Sequence, residues 1–174
     1  MSFAKVPLGD KAPEVVNAVI EIPRGFSNKY EYDEETDTIG LDRVLHSPMF
    51  YPSDYGFIPQ TRSEDGDHLD VMVMINNPTF PGCVVSARVL GILDMEDEEG
   101  VDSKILAVAE KDPRLKNLSS LDQVDEHVKN EIGHFFSEYK RLEGGKWAKV
   151  KGWRGAEDAK AIIEESKKRF EEEG

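Results

Sequence analysis

The stretch SEDGDHLDVMVMIN, residues 63 to 76, sets Asp65, Asp67 and Asp70 close together and then enters an apolar run. In an extended chain Leu69, Val71, Val73 and Ile75 point to one face, while Met72 and Met74 share the other with Asp70. Both faces are largely apolar, as for the wall of a β-barrel with further structure packed outside it. The three acids therefore stand at the mouth of a core. Two carboxylates about 4 Å apart repel by roughly 4 kcal/mol at an effective dielectric near 20, so acids converging there call for bound protons or cations.

Outward from this strand, the first two thirds of the chain read mostly as β-structure. VVNAVIEIP, the pair KYEYD and TIGLDRV, YGFIP, CVVSARVLGIL and KILAVAE are short runs bounded by Gly, Pro, Asn or Asp. Such a succession favours a sandwich or a barrel. After EKDP the period changes: Asp112-Pro113 suits the start of a short helix, and Ser120 with Gln123 resembles a capping box opening a longer one. In that longer helix Val124, Val128, Ile132, Phe135 and Tyr139 fall on one face. WAKVKGW predicts a last strand, and AEDAKAIIEESKKRF a second amphipathic helix with Ala159, Ile162, Ile163 and Phe170 as its stripe. With 174 residues and no repeat, linker or low-complexity segment, residues 1–174 are expected to form one domain.

The formal charge of −13, from 22 Lys+Arg against 35 Asp+Glu, opposes nonspecific binding to nucleic acid or anionic lipid. No apolar stretch is long enough to cross a bilayer, and the start MSFAKVPLGDKAPEVV lacks the regions of a secretory signal, which predicts a soluble cytoplasmic protein. The single cysteine, Cys83, reads as a small buried residue rather than a catalytic thiol. The terminal RFEEEG reads as a solvated, frayed helix end.

A second acid group, DMEDEEGVDSK at residues 94 to 104, lies between two strand-like runs and is expected at a hairpin tip. For Glu96 or Glu99 alone, charge protecting an edge is a sufficient explanation. For Asp97, Asp102 and Lys104, closure of the barrel onto the first acid group would make at least five carboxylates converge. Oxygen donors without paired His or Cys suit Mg²⁺ or Mn²⁺ rather than structural zinc. A calcium loop starting at Asp65 fails, because positions six and twelve are Asp70 and Asn76 instead of Gly and Glu. Lys29, Arg43, Tyr51, Tyr55 and Tyr139 supply cations and phenols nearby in the reading, the combination a small, highly charged phosphate substrate needs. The Walker pattern GxxxxGK[ST] is absent.

EIP with Glu21, KYE with Lys29 and Glu31, DR with Arg43, FYPSDYG with Tyr51 and Tyr55, DGDHLD, DEEGVDSK and HFFSEYK occur in register over nearly the whole chain. In this the chain resembles the soluble family I inorganic pyrophosphatases. The resemblance implies an α+β fold, mainly β, with a five-stranded OB-like barrel and flanking helices. It also implies several Mg²⁺ ions, with Mn²⁺ or Zn²⁺ able to substitute, and hydrolysis of pyrophosphate to two phosphates. By matching positions, Asp65, Asp70 and Asp102 are implied as ligands of activating metals, Asp97 with Asp102 as holders of a substrate-borne metal, and Glu31 as a contributor beside them. Lys29, Arg43, Tyr55, Lys104, Tyr139 and Lys140 are implied to hold the phosphates. Asp67 is implied as the base, Tyr55 as a further catalytic group, and Glu21, Tyr51 and Glu98 as supports. A homohexamer is implied as well. One departure is His68, where the family usually has proline; this puts loop rigidity and local pKa in question. A phosphatase for organic esters or nucleotides, or a non-catalytic OB module, remains as a rival reading of the same acids and fold.

Overall fold

In the structure, a computed structural model describing residues 2–173, the expected strands form as β1 (Val15–Ile22), β2 (Asn28–Asp33), β3 (Thr38–Val44), β4 (Asp54–Ile58) and β5 (Leu69–Met74). They are followed by β6 (Val84–Asp97), β7 (Gly100–Val101), β8 (Lys104–Ala109), α1 (Glu126–Glu138), β9 (Ala148–Gly155) and α2 (Ala156–Glu173). β1 pairs with both β4 and β6, and the path β1–β4–β5–β8–β6 returns to β1, so five strands close into a barrel of the expected OB-like kind. All of these pairings are antiparallel except β5 with β8. β6 is long enough to pair β1 through its first half and β9 through its second, with register shifts between Val89 and Gly91 and between Asp94 and Met95 bending it from one partner to the other. β2 and β3 form a separate two-stranded hairpin.

The alternation read from residues 69–75 is realised as two apolar clusters, one on each face of the wall. Leu69, Val71 and Val73 pack with Ile105, Ala107, Val89 and Ile92, and α2 lays Ala159 and Ile163 on that cluster. Met72 packs on the other face with Leu106, Val108, Leu90 and Leu93, where α1 delivers Ile132, Phe135 and Phe136 and ends on Tyr139. Truncating any one of the large buried residues to alanine costs about 2–5 kcal/mol. Gly56 in β4 marks the closest approach between strands: a Cβ there would lie 1.9 Å from the Val19 carbonyl oxygen.

Four local expectations are corrected. The Ser120/Gln123 pair opens only a 3₁₀ turn, Leu121–Gln123, with the Gln123 Oε1 accepting from the Ser119 and Ser120 amides at 2.7 and 3.1 Å. The helix begins later, capped by Asp125, whose carboxylate accepts from the His127 amide at 2.8 Å. Asp112-Pro113 starts turns rather than a helix, although the Asp112 carboxylate accepts from the Asn76 and Arg114 amides at 2.8 and 3.0 Å. Cys83 is only half-buried, since it ends the turn that leads into β6. The acidic C-terminal stretch stays helical through Glu173, whose carboxylate meets Arg62 Nε at 2.7 Å; Gly174 lies outside the described residues.

Candidate active site

Barrel closure places the end of β6, the β7 tip and the start of β8 beside the loop that leads into β5. The hairpin β2–β3 and the C-terminal end of α1 complete the walls of an open cavity of about 730 Å³. The β2–β3 register sets Lys29 opposite Arg43, so both cations reach the cavity from one ribbon. From β1 comes Glu21, from β4 Tyr55, from the loop Asp65 and Asp67, and from β5 Asp70. Asp97, Glu98 and Asp102 come from the β6–β8 segment, Lys104 from β8, and Tyr139 and Lys140 from the end of α1. Every candidate residue therefore lines this cavity except Tyr51. Tyr51 stays behind the wall, its ring packed on Tyr55 and Phe135 at centroid distances of 5.3 and 4.7 Å.

Lys104 is the centre of the arrangement. It is 2% exposed, and its ammonium donates to Asp70 at 2.7 Å, to Asp102 at 2.8 Å and to the Tyr55 hydroxyl at 3.1 Å. Burial pulls the proton affinity of this ammonium down, but Asp70, Tyr55 and Asp102 outweigh that and hold it well above the ordinary value. A second buried pair lies at the other side, where Lys140 donates to Asp97 at 2.6 Å. Burial pushes Asp97 up, yet the Lys140 hydrogen bond and charge hold it below the usual range. Lys29 rests on Glu31 at 3.0 Å and Asp42 at 3.4 Å. Arg43 meets Asp42 at 2.8 Å, and its Nε lies 2.8 Å from Glu143 as a charge contact without hydrogen-bond alignment.

Even with these cations the cavity is short of positive charge. Burial raises Asp102 to about 6 against the pull of Lys104, with Asp70 and Asp97 adding repulsion. Asp67 is raised by burial and then by Asp65, Asp70, Glu31 and Glu99. Glu21 is raised to about 8, chiefly by burial, although it accepts from the Tyr32 amide at 2.7 Å. A carboxylate cluster that holds protons this tightly is one that cations would stabilise. Among the described residues no three acids are arranged to close on one ion, since lysine ammonium groups stand between them. The donor set is nevertheless all oxygen and fits a hard divalent cation.

A profile described as inorganic pyrophosphatase matches residues 18–171 of the chain. The chain is 56% identical over 166 residues to an inorganic pyrophosphatase of Thermus thermophilus, covering 94% of this chain and 93% of that protein. It is 47% identical over 173 residues to one of Aquifex pyrophilus, covering 98% and 96%. The chain belongs to the inorganic pyrophosphatase family. The crystal structure of the Thermus thermophilus pyrophosphatase superposes with a TM-score of 0.96 at 50% identity over 98% of this chain and 99% of that one. That of the Helicobacter pylori pyrophosphatase gives 0.92 at 38% identity over 96% and 99%.

For this pyrophosphatase family member, sequence reasoning missed residues in and behind the cavity wall. Glu143, from the turn after α1, is buried against Arg43, and only the fold brings positions 43 and 143 together. Glu34 and Arg62 were equally silent. They meet His68, whose imidazole stacks on Phe57 at 4.7 Å and 12°. The stack and the contacts of both ring nitrogens fix His68 in place. Asp65 also acts locally, because its carboxylate accepts from the Asp67 amide at 3.0 Å and so caps the loop turn.

Proposed function

We propose that this chain hydrolyses inorganic pyrophosphate to two phosphates by direct attack of a metal-activated water, with Mg²⁺ as the working ion and Mn²⁺ or Zn²⁺ as substitutes. The observation that carries this reading is the cavity's double character: acids in excess on the barrel side, and Lys29, Arg43 and Lys140 arriving from three different elements around it. A compact substrate with anionic groups at both ends uses all of these. Family membership supports the same activity.

Asp65, Asp70 and Asp102 would hold the activating ions, Asp97 with Asp102 an ion arriving with substrate, and Glu31 would assist. When bound, such ions lower the pKa of a coordinated water and neutralise substrate charge. The chain's own part is positional. Lys29 and Arg43 take one phosphate from the hairpin, and Lys140 with Tyr139 takes the other from the end of α1. Tyr55 and Lys104 donate from the floor to the bridging side of the substrate. Asp67, unneutralised and with its proton affinity raised by burial and then by its acidic neighbours, accepts the proton of the attacking water. Glu21, Tyr51 and Glu98 hold these groups in place: Glu21 through the Tyr32 amide, Tyr51 through the Tyr55 ring and Glu98 through the Trp147 amide at 3.2 Å. The product phosphates leave without an enzyme-bound covalent intermediate.

We also read the protein as cytoplasmic and as a homohexamer, on the family resemblance. Exposed Phe50 and Phe80, at 61% and 64%, offer apolar surface that assembly would bury. Among the described residues no helix is long and apolar enough to cross a membrane. The test of the activity is phosphate release from pyrophosphate after exhaustive chelation and again after Mg²⁺ is restored. Release only with Mg²⁺, and far faster than from nitrophenyl phosphate or ATP, is the expected result. Full activity after chelation overturns the metal mechanism, and comparable kcat/KM for the three substrates overturns the specificity.

A further inference from the structure

The hairpin that carries Lys29, Glu31 and Arg43 is a separate two-stranded sheet, and a ribbon of that size is marginal without support from elsewhere. Two anchors tie the turn end of β2 to the barrel, the Tyr32 amide on Glu21 and the Tyr32 ring stacked on Phe57 at 5.0 Å. A third lies at its tip, where Glu34 begins the turn between β2 and β3. Both Glu34 oxygens are taken by Arg62, at 2.5 and 2.8 Å, and Oε1 also lies 2.7 Å from His68 Nε2. Arg62 and His68 stand at the two ends of the acidic loop 63–67. A single carboxylate from the hairpin thus spans both ends of the loop that presents Asp65 and Asp67.

Neither loop end is free to follow the hairpin passively. The Arg62 amide donates to Ser166 O at 2.8 Å, its Nε to Glu173 at 2.7 Å, and its guanidinium lies 5.3 Å from the Phe170 ring centroid, so Arg62 is fixed to α2. His68 Nδ1 lies 2.9 Å from Thr61 O, and its ring is stacked on Phe57. With Nε2–H directed at Glu34 the ring donates to the shared carboxylate, and Arg62 Nη1 lies 3.3 Å from Nδ1. The arginine and histidine side chains are largely buried, while Glu34 is half exposed.

We propose that Glu34, Arg62 and His68 form a clasp that sets the distance between the phosphate-holding hairpin and the acidic loop, making Glu34 a positioning residue for the hydrolysis proposed above. The inference rests on that reading of the two walls. With the clasp intact, the hairpin cations and the loop carboxylates face each other before substrate arrives. With it cut, substrate bridging the two walls must bring them together itself, and the ordering cost enters KM. Once bound, the substrate restores the geometry, so kcat stays close to its original value.

The test is Glu34→Gln, which keeps the side chain's shape and removes its charge, with Arg62→Lys as the second variant, retaining charge but losing the two-pronged contact. Steady-state kinetics on pyrophosphate, thermal melts and hydrogen exchange of the metal-free protein are read together. The expected result is a rise in KM of roughly three- to thirty-fold, the range for perturbed coupling between sites, with kcat within about twofold. Amide exchange in the metal-free protein should accelerate in both 28–44 and 63–68. A lowered Tm with unchanged KM makes the cluster structural only and overturns the clasp, as does faster exchange confined to the hairpin. If the unmodified protein releases no phosphate from pyrophosphate, the hydrolysis reading fails by itself. Exchange in the two segments then still decides whether the walls are coupled.

Discussion

Replacing Glu21 with glutamine should stabilise the metal-free protein at pH 8 and leave it little changed at pH 4. Glu21 is 7% exposed, one oxygen accepts from the Tyr32 amide, and Asp70 and Glu31 lie close enough to repel its charge. The carboxyl ordinarily titrates at 4.5 and is held at about 8 in the fold, mainly by burial. Between those values the folded chain keeps the proton and the unfolded chain has lost it. The native state then binds more protons, and stability falls as pH rises. At 1.36 kcal/mol per pH unit the loss across the interval is on the order of 4 to 5 kcal/mol. Below pH 4.5 both states are protonated, so nothing is lost there. Glutamine retains an oxygen for the Tyr32 amide and has no proton to release. Urea titrations of the chelated protein at intervals from pH 4 to pH 8 measure the effect: the curve for Glu21→Gln should be flatter, with the gap from wild type opening toward pH 8. Parallel curves, or a variant less stable at pH 8, would refute the argument that burial of this carboxyl controls the slope.

Lys104→Met leaves Asp70 and Asp102 facing each other without their shared ammonium, and should cost about 3 to 5 kcal/mol in the chelated protein. Added Mg²⁺ should return part of the lost Tm, and an unshifted Tm would show that the lysine does not hold the pair. Asp67→Asn keeps size but loses basicity, so kcat should fall by roughly 10² to 10⁴ with Mg²⁺ affinity little changed; a wild-type kcat removes Asp67 from the base role. Gly56→Ala drives a methyl against the Val19 carbonyl. It should cost several times the roughly 1–3 kcal/mol of ordinary overpacking, read as loss of a cooperative melt.

The strands were legible because a barrel wall is apolar on both faces. The run from Leu69 to Ile75 shows that directly, and its two sets of side chains enter the two clusters as the alternation requires. Closure was harder to read. The β1–β6 pairing joins Val15 to Arg88, a contact between distant positions that only the bend of β6 allows, and register shifts carry no signature in a single sequence. The first turn after Ser120 misled for a local reason: its capping residues are present, but the helix waits for Asp125. Capping chemistry reports a turn that starts, and tertiary packing decides whether it propagates.

At the site, motif spacing identified which residue types meet without showing how they pair. Lys104, Lys140 and Arg43 read as free cations awaiting a phosphate, yet each is already bound to a carboxylate. The reason is electrostatic. Acids brought this close cannot all remain charged in a half-buried cavity without compensation, and ammonium groups within reach supply it before any other cation does. Compensation remains partial, as the raised proton affinities of Asp67 and Asp102 show. Each lysine therefore has two competing sets of partners, the acids at its side and the anionic ligand proposed for the cavity. Divalent cations bound there would relieve the acids and release the lysines toward that ligand. Pyrophosphate affinity should accordingly rise with metal concentration more steeply than charge carried by the substrate alone would require.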